Sequence, residues 1–195
     1  MSLQKGRLKT LFALLIKHLR AVAMSADCKH IHKVQSFSAE AIEARLLAAQ
    51  QHCRARGVRF TPLRQQIYAL ILSASAPVGA YDLITLLQKE RLDTDVKVSK
   101  NVAPPTVYRS LEFLLSEGLI HQLTSINAYV PCCHPRAQHT AAFLICDNCH
   151  SVQECSSMPA EEIIHFAQND AGFVVARSVI ELSGRCQSCQ TAAAE

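Results

Sequence analysis

Two Cys-x-x-Cys pairs, Cys146-Asp147-Asn148-Cys149 and Cys186-Gln187-Ser188-Cys189, constrain the fold of this chain more than any other feature. Each can present both sulfurs to one ion from a tight turn, and four thiolates at ~2.3 Å close a tetrahedral zinc site. The segment between the pairs must therefore fold back on itself. Its pattern supplies the means. Ala141 to Ile145 and Val152 to Glu154 read as strands, and Ala160 to Gln168 as an amphipathic helix with Ile163, Ile164 and Phe166 on its apolar face. Phe173 to Leu182 reads as a longer strand. A unit of this size has a marginal core and commonly needs a metal or a partner subunit.

Nine cysteines and nine histidines occur in 195 residues. Their clustering after position 130 points to metal ligation, and the odd cysteine count argues against a disulfide scaffold. A reducing cytoplasm, where thiols stay available as ligands, is the expected compartment. Thiol oxidoreductase chemistry is the rival for a CxxC motif. It needs only one such motif on a thioredoxin-like βαβ pattern, which this sequence lacks. No catalytic constellation is visible, so the chain is not read as an enzyme, and no small-molecule substrate is expected. A net charge of +4 with 49% hydrophobic residues describes a mildly basic globular chain, which permits nucleic-acid binding without requiring it.

The stretch from Ala103 to Gly118 is a helix with a marked start and stop. Pro104 and Pro105 suit its first turn, Val107, Leu111, Leu114 and Leu115 recur at helical spacing, and Gly118 stands where a C-terminal cap belongs. Thr106, Tyr108, Arg109 and Ser110 occupy the other face near the N-terminal end, from which a helix-turn-helix protein reads base edges. An ordinary surface helix has the same pattern, so the neighbours decide. Three helices precede it: one from the N-cap Ser38 to near Gly57, one opening at Thr61-Pro62, and a short one through Tyr81, Leu83, Ile84, Leu86 and Leu87. Leu92 to Val102 reads as a loop. After Gly118, Leu119 to Leu123 and Ala128 to Val130 read as a hairpin turning at Ser125-Ile126-Asn127. Helices followed by a hairpin make a winged helix.

The predicted architecture is α+β: an N-terminal winged-helix DNA-binding domain over 38–132, a hinge at 133–138, and a small α/β dimerisation domain with a structural zinc site over 139–195. Residues 1–37 are read as a disordered extension, including the possible ligands Cys28, His30 and His32. The apolar run Leu11 to Ile16 follows Lys5, Arg7 and Lys9 as in a signal peptide, but Lys17, His18 and Arg20 end it far short of the ~18 residues of a membrane span. It is read as neither signal nor span, and Met24 is an alternative start.

A second set of possible ligands is scattered: His121 in the wing, Cys132 just after it, His139 before the first CxxC, and Glu154 beyond it. Together they could make a mixed nitrogen, sulfur and oxygen tetrahedron, which fits zinc and is borderline for iron. Cys133, His134, His150 and Cys155 are neighbours that spacing does not rank against them.

Thr61-Pro62 with Arg64, the Pro105-Thr106-Val107-Tyr108-Arg109 helix start, Ile145-Cys146-Asp147-Asn148-Cys149 and the terminal CxxC together resemble the ferric uptake regulator family over about residues 40 to 190. The resemblance implies a homodimer of winged-helix subunits acting as a metal-responsive repressor. Iron-sensing members usually carry a His-His-Asp-His run before the first CxxC. This chain has His139-Thr140-Ala141-Ala142-Phe143 instead, and with Cys132 after the wing it is similar to the zinc uptake regulator branch.

By that resemblance His121, Cys132, His139 and Glu154 take the regulatory site, and Cys146, Cys149, Cys186 and Cys189 the structural one, giving two zinc ions per subunit. The zinc-loaded dimer is expected to bind palindromic operator DNA and control zinc uptake genes. Tyr108 and Arg109 are placed for base edges, sugar or phosphate, and Thr106, Tyr81, Arg59 and Arg64 for positioning on the backbone. The alternatives are an iron- or peroxide-responsive regulator of the same family, or, in another class, a structural zinc module that binds RNA or protein.

Overall fold

A computed structural model of the chain describes residues 31–93, 102–135, 141–155, 158–175 and 178–192. His139, Cys28, His30 and most of the predicted loop after Leu92 lie outside them.

Four helices and a small sheet form the first unit. Helix α1 (Ala39–Ala55) starts where the Ser38 hydroxyl accepts from the Ala41 N–H at 3.3 Å. Helix α2 (Pro62–Ser73) is capped in the same way by Thr61. Helix α3 (Ala80–Asp93) follows a two-residue strand, β2 (Val78–Gly79). Helix α4 (Pro104–Ser116) has prolines in its first turn, as its sequence predicts, and has no side-chain cap. Its end is tightly made. Gly118 adopts φ +63°, its N–H reaches the Leu115 carbonyl, and the Leu119 N–H reaches the Leu114 carbonyl, both at 3.0 Å. The chain passes directly from that cap into the hairpin of β3 (Ile120–Leu123) and β4 (Ala128–Pro131), which with β2 forms a sheet of order β2-β4-β3. Ile67, Tyr68, Leu72, Leu83, Leu87, Val107, Leu111 and Leu114 fill the core between helices and hairpin.

The second sheet has the order β1-β6-β5-β7. Strands β5 (Ala142–Cys146) and β6 (Val152–Cys155) are antiparallel, while β7 (Ile180–Gly184) runs parallel to β5. Strand β1 (Ile31–Lys33) lies on the outer edge of β6. These three residues fall in the stretch expected to be disordered. They are ordered because β6 offers them an unpaired edge, a partner that local sequence pattern does not reveal.

Two expectations for the second half are corrected. The strand predicted from Phe173 begins only at Ile180, because β5 offers five residues to pair with and their register starts at Ala142 opposite Ile180. The predicted helix becomes α5 (Met158–His165) followed by a π-helical turn, Phe166–Asp170. Ile163 and Phe166 of this segment are exposed, as are Phe173, Val174 and Leu182 beyond it. A last short helix, α6 (Gln187–Thr191), carries the second CxxC.

The wing is buried on both faces. Ile120 and Tyr129 join the helical core, whereas Leu123 and Val130 pack with Phe143, Ile145 and Val152 of the second sheet. On the helical side, buried Glu117 at the end of α4 pairs with His52 Nε2 at 3.1 Å and Arg56 Nε at 3.0 Å, both on or capping α1. Replacing Glu117 with alanine should destabilise the winged-helix unit by about 1–3 kcal/mol, since the ion pairs of a buried carboxylate are lost. Urea unfolding checks this: the midpoint should fall with the slope unchanged, and an unaltered midpoint would show that the pair contributes nothing.

Candidate metal centres and nucleic-acid face

The two CxxC pairs converge. The sulfurs of Cys146, Cys149, Cys186 and Cys189 all lie within 4.8 Å of one another, and Cys149 Sγ is 3.7 Å from Cys186 Sγ. Four sulfurs at ~2.3 Å from a tetrahedral centre are separated by about 3.8 Å, so the cluster has the dimensions of a zinc-thiolate site. Parallel pairing of β5 with β7 brings the pairs together, with the Asp147 N–H on the Gly184 carbonyl at 2.8 Å. Backbone N–H groups of Cys149, Cys186 and Asn148 favour the Cys146 thiolate and lower its pKa to about 6. Asn148 favours the Cys189 thiolate too, but the Cys149 and Cys186 sulfurs outweigh it and push that thiol up to about 11. Sulfurs so crowded ionise together only around a cation. No disulfide joins the described cysteines.

A second cluster bridges the two sheets. His121 on β3, Cys132 just past β4 and Glu154 on β6 place one ligand atom each within 4.8 Å of the others. His121 Nε2 is 3.3 Å from Glu154 Oε1, and Glu154 Oε2 accepts the Cys133 N–H at 3.0 Å. Glu154 is 1% exposed, so its charge needs a compensating cation close by. Burial disfavours the charged His121 imidazole, yet its hydrogen bonds to Cys132 and Glu154, and their charges, raise its pKa to about 9. The donor set and the demand for positive charge both fit a divalent metal. His139, the fourth expected ligand, lies outside the described residues. His150 and Cys155 join no ligand cluster among the described residues, whereas Cys133 and His134 join a different one, with His32.

The same sheet face grips the wing at two more points. Across the strands the ladder sets His32 opposite Glu154, Glu154 opposite Phe143, and Phe143 opposite Glu181, so these four share one face. The Phe143 ring meets the His121 ring edge-on with centroids 5.2 Å apart. Glu181 accepts the Thr124 N–H at 2.6 Å, the Ser125 N–H at 3.0 Å and the Ser125 hydroxyl, all in the wing turn. Nothing in the sequence marks Glu181 for this, because its partners lie 56 and 57 positions away.

The predicted DNA-facing residues divide. Thr106, Tyr108 and Arg109 are exposed at the N-terminal end of α4, and Tyr81 on α3 and Arg59 are exposed as well. Arg64 is engaged inward: its guanidinium stacks 3.6 Å above the Phe113 ring and donates to the Arg59 carbonyl. It braces the loop that carries Arg59.

Residues 55–183 match the model of the ferric uptake regulator family. The chain belongs to that family. It is 37% identical over 145 residues to the zinc uptake regulation protein of Escherichia coli (strain K12), covering 74% of this chain and 80% of that protein. The peroxide operon regulator of Bacillus subtilis (strain 168) is 27% identical over 144 residues, covering 74% and 92%. Among solved structures, a zinc uptake regulator complexed with zinc and DNA superposes with a TM-score of 0.69 at 35% identity, covering 79% of this chain and 98% of that one. Holo XcZur superposes at 0.65 and 36%, covering 76% and 98%.

Glu181→Gln keeps the size of the side chain and removes its charge. Hydrogen exchange at the Thr124 and Ser125 amides should quicken by roughly tenfold, the loss of about 1.4 kcal/mol expected for a part-exposed charge-assisted bond. Burial raises the Glu181 pKa, but the wing's hydrogen bonds outweigh it and leave the pKa lowered. A lowered pKa means that the clamp is fully present above the ordinary carboxylate range and lost as pH falls through the folded value below it. Unchanged exchange in the variant would remove Glu181 from the clamp.

Proposed function

We propose that this chain is a zinc-responsive transcriptional repressor that binds palindromic operator DNA as a homodimer when zinc-loaded and controls zinc uptake genes. The observation that carries the reading is the His121, Cys132 and Glu154 cluster, whose ligands come from the wing, the residue after it and the opposite sheet. Similarity to a zinc uptake regulator complexed with zinc and DNA supports the metal and the target. The higher identity to a zinc uptake regulation protein, 37% against 27% for a peroxide regulator, favours zinc over the iron or peroxide alternative.

Two zinc ions per subunit are assigned. Cys146, Cys149, Cys186 and Cys189 hold one within the dimerisation unit, 139–195. His121, Cys132, His139 and Glu154 hold the regulatory one, across the hinge at 133–138 from the winged helix, 38–132. A bound zinc ion supplies the positive charge and directed ligand bonds that the regulatory cluster requires. His121 and Cys132 then fix the wing against β6, and the wing carries α4 with it through the Gly118 cap. Tyr108 and Arg109 reach base edges, while Thr106, Tyr81 and Arg59 contact the backbone, with Arg64 positioning Arg59. The exposed apolar residues Phe166, Phe173, Val174 and Leu182 supply the surface that a second subunit covers.

A zinc titration of DNA binding to a palindromic promoter element, with iron(II) and manganese in parallel, tests the reading. Zinc should raise affinity at least tenfold, Cys132→Ser should abolish that rise, and Arg109→Ala should weaken binding at every zinc level. Cys149→Ser should instead unfold the second unit. Zinc-independent binding, or an unaltered zinc response in Cys132→Ser, would overturn the assignment.

A further inference from the structure

The extension before α1 and the two residues after Cys132 meet at a third cluster of metal-ligating groups. One ligand atom from each of His32, Cys133 and His134 lies within 4.8 Å of the others. Cys133 Sγ is 2.9 Å from His134 Nδ1, and the His32 and His134 rings meet edge-on with centroids 5.3 Å apart. All three side chains are half-buried, neither sealed in the core nor displayed on the surface. The cluster shares no ligand with the His121, Cys132 and Glu154 site, although it adjoins it: His32 is the cross-strand partner of Glu154, and the Cys133 N–H donates to Glu154 Oε2.

We propose that His32, Cys133 and His134 form a third metal site, which takes a zinc-like borderline cation and to which no other described residue adds a ligand. One thiolate and two imidazoles suit zinc and its neighbours, whereas magnesium and calcium require oxygen donors. The site joins two segments far apart in sequence. Strand β1 has three residues and sits on an edge, a length at which pairing alone is weak. A cation on His32 pins β1 to the segment leaving the wing, so occupancy orders β1 and the Cys132-Cys133 backbone together. The inference does not rest on the proposed repressor function, and only its comparison of the two cysteine variants uses zinc at the His121, Cys132 and Glu154 cluster.

Zinc content of the full chain at equilibrium dialysis against buffered free zinc tests the site, using wild type, Cys133→Ser, His32→Gln, Cys132→Ser and the Cys132→Ser/Cys133→Ser double variant. Wild type should hold one ion per subunit more than Cys133→Ser or His32→Gln, one more than Cys132→Ser, and two more than the double variant. Hydrogen exchange of β1 amides should slow on zinc loading in wild type and in Cys132→Ser, but not in His32→Gln. Circular dichroism identifies any variant that fails to fold, and His32→Gln, on an edge strand, then carries the comparison alone. Equal content in wild type and His32→Gln would overturn the proposal. So would a loss of one ion in each single cysteine variant with no further loss in the double variant, since both cysteines would then serve one ion. Failure of zinc-dependent DNA binding with the third ion retained would instead count against the repressor reading.

Discussion

A carboxylate buried to 1% exposure organises the contact between the two halves of this molecule. Glu154 cannot carry its charge into that position without donors and a cation, because the desolvation cost would exceed what packing returns. Its neighbours are arranged accordingly: His121 at 3.3 Å from one oxygen, the Cys133 N–H at 3.0 Å from the other, and the Cys132 thiol within reach. His121 belongs to the wing, so satisfying Glu154 places the wing on the sheet. Leu123 and Val130 lie on the same side of the hairpin as His121 and bury against Phe143, Ile145 and Val152 as a consequence. The wing is coupled to α4 without a flexible joint, because the cap at Gly118 bonds Leu119 back to Leu114 before β3 begins. The charge state at Glu154 therefore bears on where Tyr108 and Arg109 point.

The placement of each ligand cluster separates two physical roles. All four CxxC cysteines belong to one unit, joined by the β5 and β7 pairing, so a cation there stabilises that unit and leaves its relation to the helices unchanged. This suits a small sheet whose helix α5 and following turn leave Ile163 and Phe166 outside. The His121, Cys132 and Glu154 cluster draws on both units, so a cation there favours whichever arrangement brings them together. Ligand chemistry alone would not distinguish the two, since both include cysteine.

Much of the first unit was legible in the sequence because its signals are local. Ser38, Thr61, Pro104 and Pro105 begin helices where expected, Gly118 ends one, and the hairpin turns at Thr124 to Asn127. The CxxC cluster was legible for the same reason. What escaped depends on partners distant in the chain. Strand β1 exists because β6 has a vacant edge, Glu181 matters because the wing turn lies beside β7, and Arg64 turns inward because Phe113 offers a ring face. The apolar pattern of Phe173 to Leu182 predicted a longer strand than forms, and Phe173, Val174 and Leu182 are exposed. Local pattern could not tell a buried strand from an apolar surface, and β5, by its length, decides where strand pairing starts.

The protein's own contacts set how much a metal must contribute. Driving a two-state arrangement from 1:99 to 99:1 takes a ligand that prefers one state by ~10⁴-fold. That requirement falls as other contacts favour the same state. Glu181 on the wing turn, the Phe143 and His121 ring contact, the Arg45 guanidinium on the Cys132 carbonyl at 3.0 Å, and the Leu123 and Val130 cluster all favour the docked wing without any ion. Opposing them is the buried charge of Glu154, together with the Cys132 thiol that must ionise to act as a ligand. A cation bound there would have only to settle that electrostatic balance, so residues that never touch it would set the concentration at which it acts.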